Sequence, residues 1–280
     1  MEAPTHRLAQ AEERLILGHY ERVAPLIATN FPHVPLIAMY YPRGLEEDAT
    51  YSGAWHEPLP HTIPSAVVVT PSGNHVYPAC AENTILWMAH RYAVGFISWT
   101  PSPTDAHAIA CAHIGVKPVA GATQQQLKEA MHLLHADLLA VGLDAIPLLN
   151  GNRGAALFVP FADTPSYEDA RTWLHGLVDA AIARHPTLLI HERRPHEQHT
   201  VLRIECTVVA NAVGRGSLLP YSLSGETQLP MVTPIEWHEL DTINNGDVTA
   251  ANAAARLAAG DVYAKQAQRL ANQRLAGAAR

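Results

Sequence analysis

Twice in the middle of this chain a long amphipathic stretch is followed by a pair of short β-rich runs, and that alternation limits the fold more than any other feature. Thr123 to Val141 places Leu127, Met131, Leu134 and Leu138 at helical spacing and ends before Gly142, so it predicts a helix closed by a glycine. Ser166 opens a second helix, running to Arg184, with Glu168 and Asp169 in its first turn where they complement the helix dipole. After the first helix, Ile146 to Leu149 and Ala155 to Val159 bracket Asn150-Gly-Asn-Arg-Gly154, which reads as strand, tight turn and strand. After the second, Thr187 to Glu192 and Val201 to Val209 read as strands joined across a polar loop. His107 to Ile114, built largely of small residues, is expected to supply the strand that precedes the first helix. The order β-α-ββ-α-ββ predicts an α+β fold with mostly antiparallel sheets flanked by helices.

The flanking segments complete this outline. Thr5 to Ile27 has helical apolar spacing, Val34 to Tyr41 is a strand between Pro32 and Pro42, and residues 43–61 are expected to be mostly irregular. Ala66 to Thr70 and His75 to Tyr77 form a hairpin about Pro71-Ser-Gly-Asn74. Ala81 to Ala93 is a helix, followed by a strand at Gly95 to Trp99. Pro234 to Leu240 forms a short turn of helix, and Val248 to Leu275 is Ala-rich and helical with an interruption near Gly260. No internal repeat or linker is visible. With 280 residues and 48% hydrophobic content the chain can bury a large core, as one domain or two closely packed lobes.

Composition excludes several functions. No stretch approaches the ~18 apolar residues that span a membrane, and Met1 to Arg14 is polar, so a soluble cytoplasmic protein is expected. The formal net charge of −7 argues against non-specific DNA binding by phosphate neutralisation. Cys80, Cys111 and Cys206 lie far apart and suit a reducing compartment. The 17 histidines are scattered and read as surface and core residues. His191-Glu192 and His196-Glu197-Gln198-His199 do not form a zinc-protease motif. His191 and His196 are five apart with Pro195 between them, which one helix face does not accommodate; a polar hairpin loop is the expectation. His132 and His135 read as the solvent edge of the first amphipathic helix.

Three stretches carry a resemblance. Asn211-Ala-Val-Gly-Arg-Gly-Ser-Leu-Leu-Pro220-Tyr-Ser222, Gly151-Asn-Arg-Gly154 with Leu157-Phe-Val-Pro160, and Val232-Thr-Pro-Ile-Glu-Trp-His-Glu-Leu240 resemble, in order, motifs of the primase-polymerase domain of bacterial DNA ligase D. Tyr41-Pro-Arg-Gly44 and Asn83 to Ala93 are similar to further segments of that family. The resemblance implies an archaeo-eukaryotic primase-like fold. It also implies a single domain over residues 1–265, with an N-terminal lobe of about 1–100, an RRM-like core of about 101–240, and an Ala-rich helical segment at 247–280.

The same resemblance implies chemistry that this chain departs from. The family holds two divalent cations, Mg or Mn, with an Asp-x-Asp strand and a third Asp on a neighbouring strand. Here the aspartate positions fall on Ala110 and Ala112, the third on Thr207, and a histidine near the triphosphate on Ala156. The family's Lys-Arg pair falls on Met39 and Tyr40, and its phosphate clamp within Thr50 to Gly53. No catalytic residue and no cofactor is therefore expected, and DNA binding is expected to be weak or absent. What persists are candidates for holding a nucleotide or another phosphorylated molecule: Asn150, Gly151, Arg153, Gly154, Arg215 and Ser222. A refitted metal site of Cys111, His113 and Glu205 is the alternative if the strand register is one residue off. The favoured function is a binding module without nucleotidyl transfer, connected with DNA end joining and open to a protein partner through the C-terminal helix. The alternatives are a scaffold refitted for other small-molecule chemistry, and a repair polymerase that retains activity.

Overall fold

The computed structural model describes residues 8–275 apart from 56–57, 71–72, 152–153 and 192–202. The chain runs through α1 (Gln10–Asn30), β1 (Ile37–Tyr40), β2 (Thr50–Ser52), β3 (Ser65–Thr70), β4 (Gly73–Pro78), α2 (Glu82–Ala89) and β5 (Ala93–Ser98). It continues through β6 (Cys111–Pro118), α3 (Gln124–Ala140), β7 (Ile146–Leu149), β8 (Ala155–Pro160), α4 (Tyr167–Arg184), β9 (Leu189–His191) and β10 (Ile204–Thr207). Two-residue strands β11 (Ser217–Leu218) and β12 (Thr233–Pro234), a 3-10 turn at Trp237–Glu239, and helices α5 (Ala253–Leu257) and α6 (Val262–Leu270) follow.

Six strands form the central sheet, in the order β12-β7-β8-β6-β10-β9, and a four-stranded sheet has the order β11-β5-β1-β2. The expected α+β class with mostly antiparallel pairing is what the chain adopts. One pair departs from it. β9 and β10 are parallel, with Ile204 opposite Leu189 and Cys206 opposite His191. A tight hairpin joins only antiparallel strands, so the expected hairpin across this loop is incorrect. Glu192, His196, Glu197 and His199 lie outside the described residues.

Strand alternation divides the central sheet into two faces. Ile114 and Val116 of β6, Leu157 and Val159 of β8, and Ile204 and Cys206 of β10 pack against α3 and α4 through Leu127, Met131, Leu134, Leu138, Leu174 and Val178. The opposite face sends Cys111, Leu148, Ala156 and Phe158 into a second core with Tyr20, Val23, Phe96 and Tyr263. Each fully buried Leu, Ile or Phe contributes about 1.5–3 kcal/mol, so these two cores outweigh any local propensity in fixing the strand register.

The two central helices follow their sequence signals. Thr123 Oγ1 accepts from Gln126 N at 3.2 Å while Gln126 Oε1 accepts from Thr123 N at 2.9 Å, a reciprocal cap for α3. Gly142 ends it at φ +79°. Ser166 caps α4 by accepting from Asp169 N at 3.1 Å. Other boundaries moved. The strand expected from His107 begins at Cys111, and within 43–61 the short β2 pairs with β1, Tyr51 opposite Met39. Residues 248–252 are not helical, because Thr249 N donates to Asn252 Oδ1 at 2.7 Å and Asn252 Nδ2 to the Asp247 carbonyl at 2.9 Å, bonds that compete with a helix.

The C-terminal segment packs inward. α6 turns Tyr263, Gln266 and Leu270 into the core, leaving Lys265, Gln268 and Arg269 outward. Its apolar side packs on its own chain. His135 is likewise not at a solvent edge. It stacks on Trp237 with ring centroids 3.6 Å apart and bonds Asp144 at 2.8 Å.

Candidate functional site

One row of residues crosses the central sheet at the site in question. Gly115 of β6 is the direct partner of Ala156 on β8 and of Thr207 on β10. Two residues along β6, on the same face, Lys117 stands opposite Glu205. This geometry corrects the assignment of Ala110 and Ala112. Ala112 points to the opposite face and packs with Ile114 and Val116 in the core beneath α3 and α4. Ala110 precedes β6, where its N–H bonds the Thr100 carbonyl at 3.0 Å and its own carbonyl accepts from Phe161. Residues that share a face with Thr207 and Ala156 and lie two apart beside them are Gly115 and Lys117. Neither supplies a carboxylate.

This donor set does not fit a divalent cation. Gly115, Thr207 and Ala156 have no ligand charge, and Lys117 adds a positive charge to the same face of the sheet. Glu205 is the acid of this row, and it faces that ammonium across the ladder. Among the described residues no three His, Cys, Asp or Glu side chains stand close enough to hold a metal ion.

Cys111 and His113 do lie on the face of Thr207 and Ala156, as the one-residue shift in register foresaw, but they sit deep in the interface between the two cores. The Cys111 thiol lies against the buried Tyr263 hydroxyl, and burial pushes its pKa well above the usual thiol range. His113 is fully buried and stacks on Phe158 at 4.1 Å. Thr100 Oγ1 donates to the Cys111 carbonyl at 2.6 Å, so it accepts from His113 Nε2 at 3.2 Å. That assigns the imidazole proton to Nε2 and leaves Nδ1 as an acceptor with no partner among the described residues. Burial lowers the His113 pKa to about 3, so it is neutral. Thr100 holds φ at +45°, a strained value for a β-branched residue, fixed by these buried bonds. Asn211, from the strongest of the three motifs, is fully buried and clamps His113 at both backbone atoms, accepting from its N–H and donating to its carbonyl at 2.7 Å each. Its role is to tie the 211–222 segment to β6.

Several of the described phosphate candidates spend polar groups on bonds within the fold. Asn150 N donates to the Gly154 carbonyl at 3.0 Å, closing the turn, and the Gly151 N–H is already used on Asn245 Oδ1 at 3.1 Å. Gly151 holds φ at +76°, and a Cβ there would stand 2.9 Å from Ser224 Oγ and 3.0 Å from Pro230. That glycine is required by the turn and by the loop packed on it. Arg153 lies outside the described residues. Arg215 is exposed at the turn Ala212–Arg215, while Ser222 is fully buried and donates to the Phe96 carbonyl at 3.3 Å. The bonds that anchor the 150–154 turn thus run to Asn245, a residue the motifs did not single out. Gly115 had one sequence signal, a glycine inside a strand pattern, which marks close approach of another group.

A two-cored α+β domain with a six-stranded sheet and this row of partners belongs to the class of primase-like folds. The chain matches the model of the LigD primase-polymerase domain over residues 14–263, and it belongs to that family. It is 24% identical over 207 residues to the bifunctional non-homologous end joining protein LigD of Bacillus subtilis, covering 72% of this chain and 32% of that protein. It is 21% identical over 228 residues to the multifunctional LigD of Mycolicibacterium smegmatis, covering 80% of this chain and 30% of that protein. The chain therefore spans about a third of the length of these relatives. The polymerase domain of Mycobacterium tuberculosis ligase D, solved in complex with DNA, superposes with a TM-score of 0.81 at 19% identity, covering 97% of this chain and 96% of that one. No helix among the described residues is long and apolar enough to cross a membrane.

Proposed function

We propose that this chain is a ligase D polymerase-type domain that does not transfer nucleotides, uses no divalent cation, and serves as a binding module in the context of DNA end joining. The row Thr207–Gly115–Ala156 carries this reading, because its three members hold no carboxylate and the neighbouring Glu205 stands opposite Lys117, where the family's two-metal chemistry needs three carboxylates. Loss of one metal ligand costs on the order of a thousandfold in rate, about 4 kcal/mol of transition-state stabilisation. Loss of the set removes the reaction. The test is primer extension with deoxy- and ribonucleoside triphosphates in magnesium and in manganese, on blunt, recessed and 5′-phosphorylated ends. No product above the buffer control is expected. Template-directed incorporation would overturn the proposal.

A further inference from the structure

The hairpin of β3 and β4 forms a two-stranded sheet of its own, and one of its edges is open. Two bonds fix which backbone groups point away from the hairpin. Trp55 N donates to the Val76 carbonyl at 2.6 Å and Leu36 N to the Pro78 carbonyl at 2.9 Å, so Val76 and Pro78 turn outward from β4. Their cross-strand partners, Val67 and Ser65, therefore turn their own N–H and C=O outward from β3, and Val69 follows by alternation. Trp55 and Leu36 cover the β4 side. Among the described residues no backbone segment bonds the outward groups of Ser65, Val67 and Val69. The same positions carry exposed apolar side chains, Val67 at 56% and Val69 at 59%, with Val76 beside Val67 at 36%. The opposite face is anchored, since Val68 is buried and Tyr77 packs edge-on against the buried Trp99 with ring centroids 5.1 Å apart.

Edge strands are normally guarded by charge, by proline or by a bulge. Here no Asp, Glu, Lys or Arg occurs from Pro58 to Ala81, and β3 keeps its register with β4 from Ser65 to Thr70 without a bulge. The strand is also its own complement. Antiparallel pairing about a two-fold axis at Val67 sets Val67 opposite its copy and Ser65 opposite Val69 of the copy, with about six backbone hydrogen bonds. Val76 and Val67 of both chains then form one apolar row across a four-stranded sheet. Residues 58–81 bring no charge into this contact, so two acidic chains can meet along it without opposed like charges, whereas a charged strand would find no counter-charge. We propose that β3 pairs antiparallel with β3 of a second copy of this chain, joining the two through their hairpins. A single pair of short strands lies at the low end of interface sizes, so the dimer is weak and reversible, with a Kd of about 10⁻⁵ to 10⁻³ M.

This pairing is independent of whether the domain transfers nucleotides. Sedimentation velocity of the full chain from about 10⁻⁶ to 10⁻³ M should show the weight-average mass rising reversibly from monomer toward dimer. Val67→Lys and Val67→Glu set like charges directly opposite each other across the axis, so each should weaken association about tenfold or more. An equimolar mixture of the two variants should regain it, because opposite charges then meet. Val67 is exposed, so both variants should melt with the parent. Val67→Cys gives a second readout that needs no charged variant. Hydrogen-bonded antiparallel partners stand ~5.5 Å apart at Cα, within disulfide reach, so mild oxidation should cross-link it into dimers. Leu139→Cys on α3, exposed to 52%, is the control, and the natural cysteines are buried. A chain that stays monomeric to millimolar concentration, association that persists in Val67→Lys, charged variants that do not recover on mixing, or Val67→Cys that cross-links no faster than Leu139→Cys would each overturn the pairing. A monomer whose β3 instead took up a foreign extended peptide would replace the second copy as the occupant of this edge.

Discussion

Gly115 on β6 and Thr207 on β10 are direct cross-strand partners, and a Cβ at position 115 would stand 2.7 Å from Thr207 Cγ2. The methyl group of one strand occupies the space that a side chain on the other would need, and both belong to ordered ladders that resist a shift. Gly115→Ala should therefore destabilise the fold by about 1–3 kcal/mol, the cost of overpacking. Thr207→Ser removes Cγ2 and keeps the Oγ1 that accepts from Val209 N at 3.3 Å. The double variant should recover at least half of the loss, and urea denaturation of the four proteins gives the coupling. Additive effects would mean that the two side chains do not compete for one space.

Stability should fall as the pH drops from 7 to 5. His19 and His113 are fully buried, each with one ring nitrogen bonded and Nδ1 without a partner among the described residues. Burial lowers their pKa values to about 4 and about 3 from the usual 6.5. Below pH 6.5 the unfolded chain therefore binds protons that the folded chain refuses, until the folded pKa is reached. Each histidine should cost roughly 2 kcal/mol between pH 7 and 5. Chemical denaturation at the two pH values measures the sum. His113→Gln should remove about half of this dependence while lowering stability at pH 7. An unchanged slope would show that His113 charges within the fold.

The fold class and the two long helices were legible because their signals are local. The caps at Thr123 and Ser166 and the apolar spacing of Leu127, Met131, Leu134 and Leu138 need no tertiary knowledge. The register of β6 was not legible for a physical reason. Residues Ala108 to Ala112 are apolar on both faces, so alternation gives no contrast with which to orient them. Orientation comes instead from long-range packing, Ala112 against the helices and His113 against Phe158. The parallel pairing of β9 and β10 was hidden for a similar reason, since two short strands separated by a polar run read alike in either direction. Asn245 lies 94 residues from Gly151, and nothing local marks it as the partner of the turn.

Docking of the C-terminal segment should depend on one carboxylate. Asp261 Oδ1 accepts from the Tyr221 hydroxyl at 2.6 Å and from Ala264 N at 2.9 Å, the cap of α6, and Oδ2 accepts from Asn30 Nδ2 at 2.7 Å. Asp261→Ala loses the cap, worth about 1 kcal/mol, and leaves the tyrosine hydroxyl without its acceptor, about 1–3 kcal/mol more. A total loss of about 2–4 kcal/mol is expected in chemical denaturation. In a Tyr221→Phe background the loss should shrink, because the hydroxyl that needs an acceptor is gone. A loss below 0.5 kcal/mol would mean that α6 is held by its apolar contacts alone.

Binding to DNA ends should be weak and only slightly dependent on salt. The positions that the resemblance matches to the family's Lys-Arg pair are Met39 and Tyr40, which are 4% and 8% exposed and belong to the core of the four-stranded sheet. The segment matched to the phosphate clamp forms β2 and ends at Gly53. Tyr51 is exposed there, but no cation lies between Thr50 and Gly53. Arg43, nearby in sequence, is 3.9 Å from Glu47, an exposed pair that offsets its charge. With a formal net charge of −7, the approach of a phosphate backbone is opposed rather than steered. Affinity for a 5′-phosphorylated duplex end should lie no tighter than the non-specific range, roughly 10⁻⁴ to 10⁻⁶ M at physiological salt. A slope of log K against log salt shallower than about −2 is expected, since few phosphates would be neutralised. Fluorescence anisotropy across a salt series measures both. Nanomolar affinity with a steep slope would require a basic surface outside β1 and β2, and would restore DNA as the ligand of this domain.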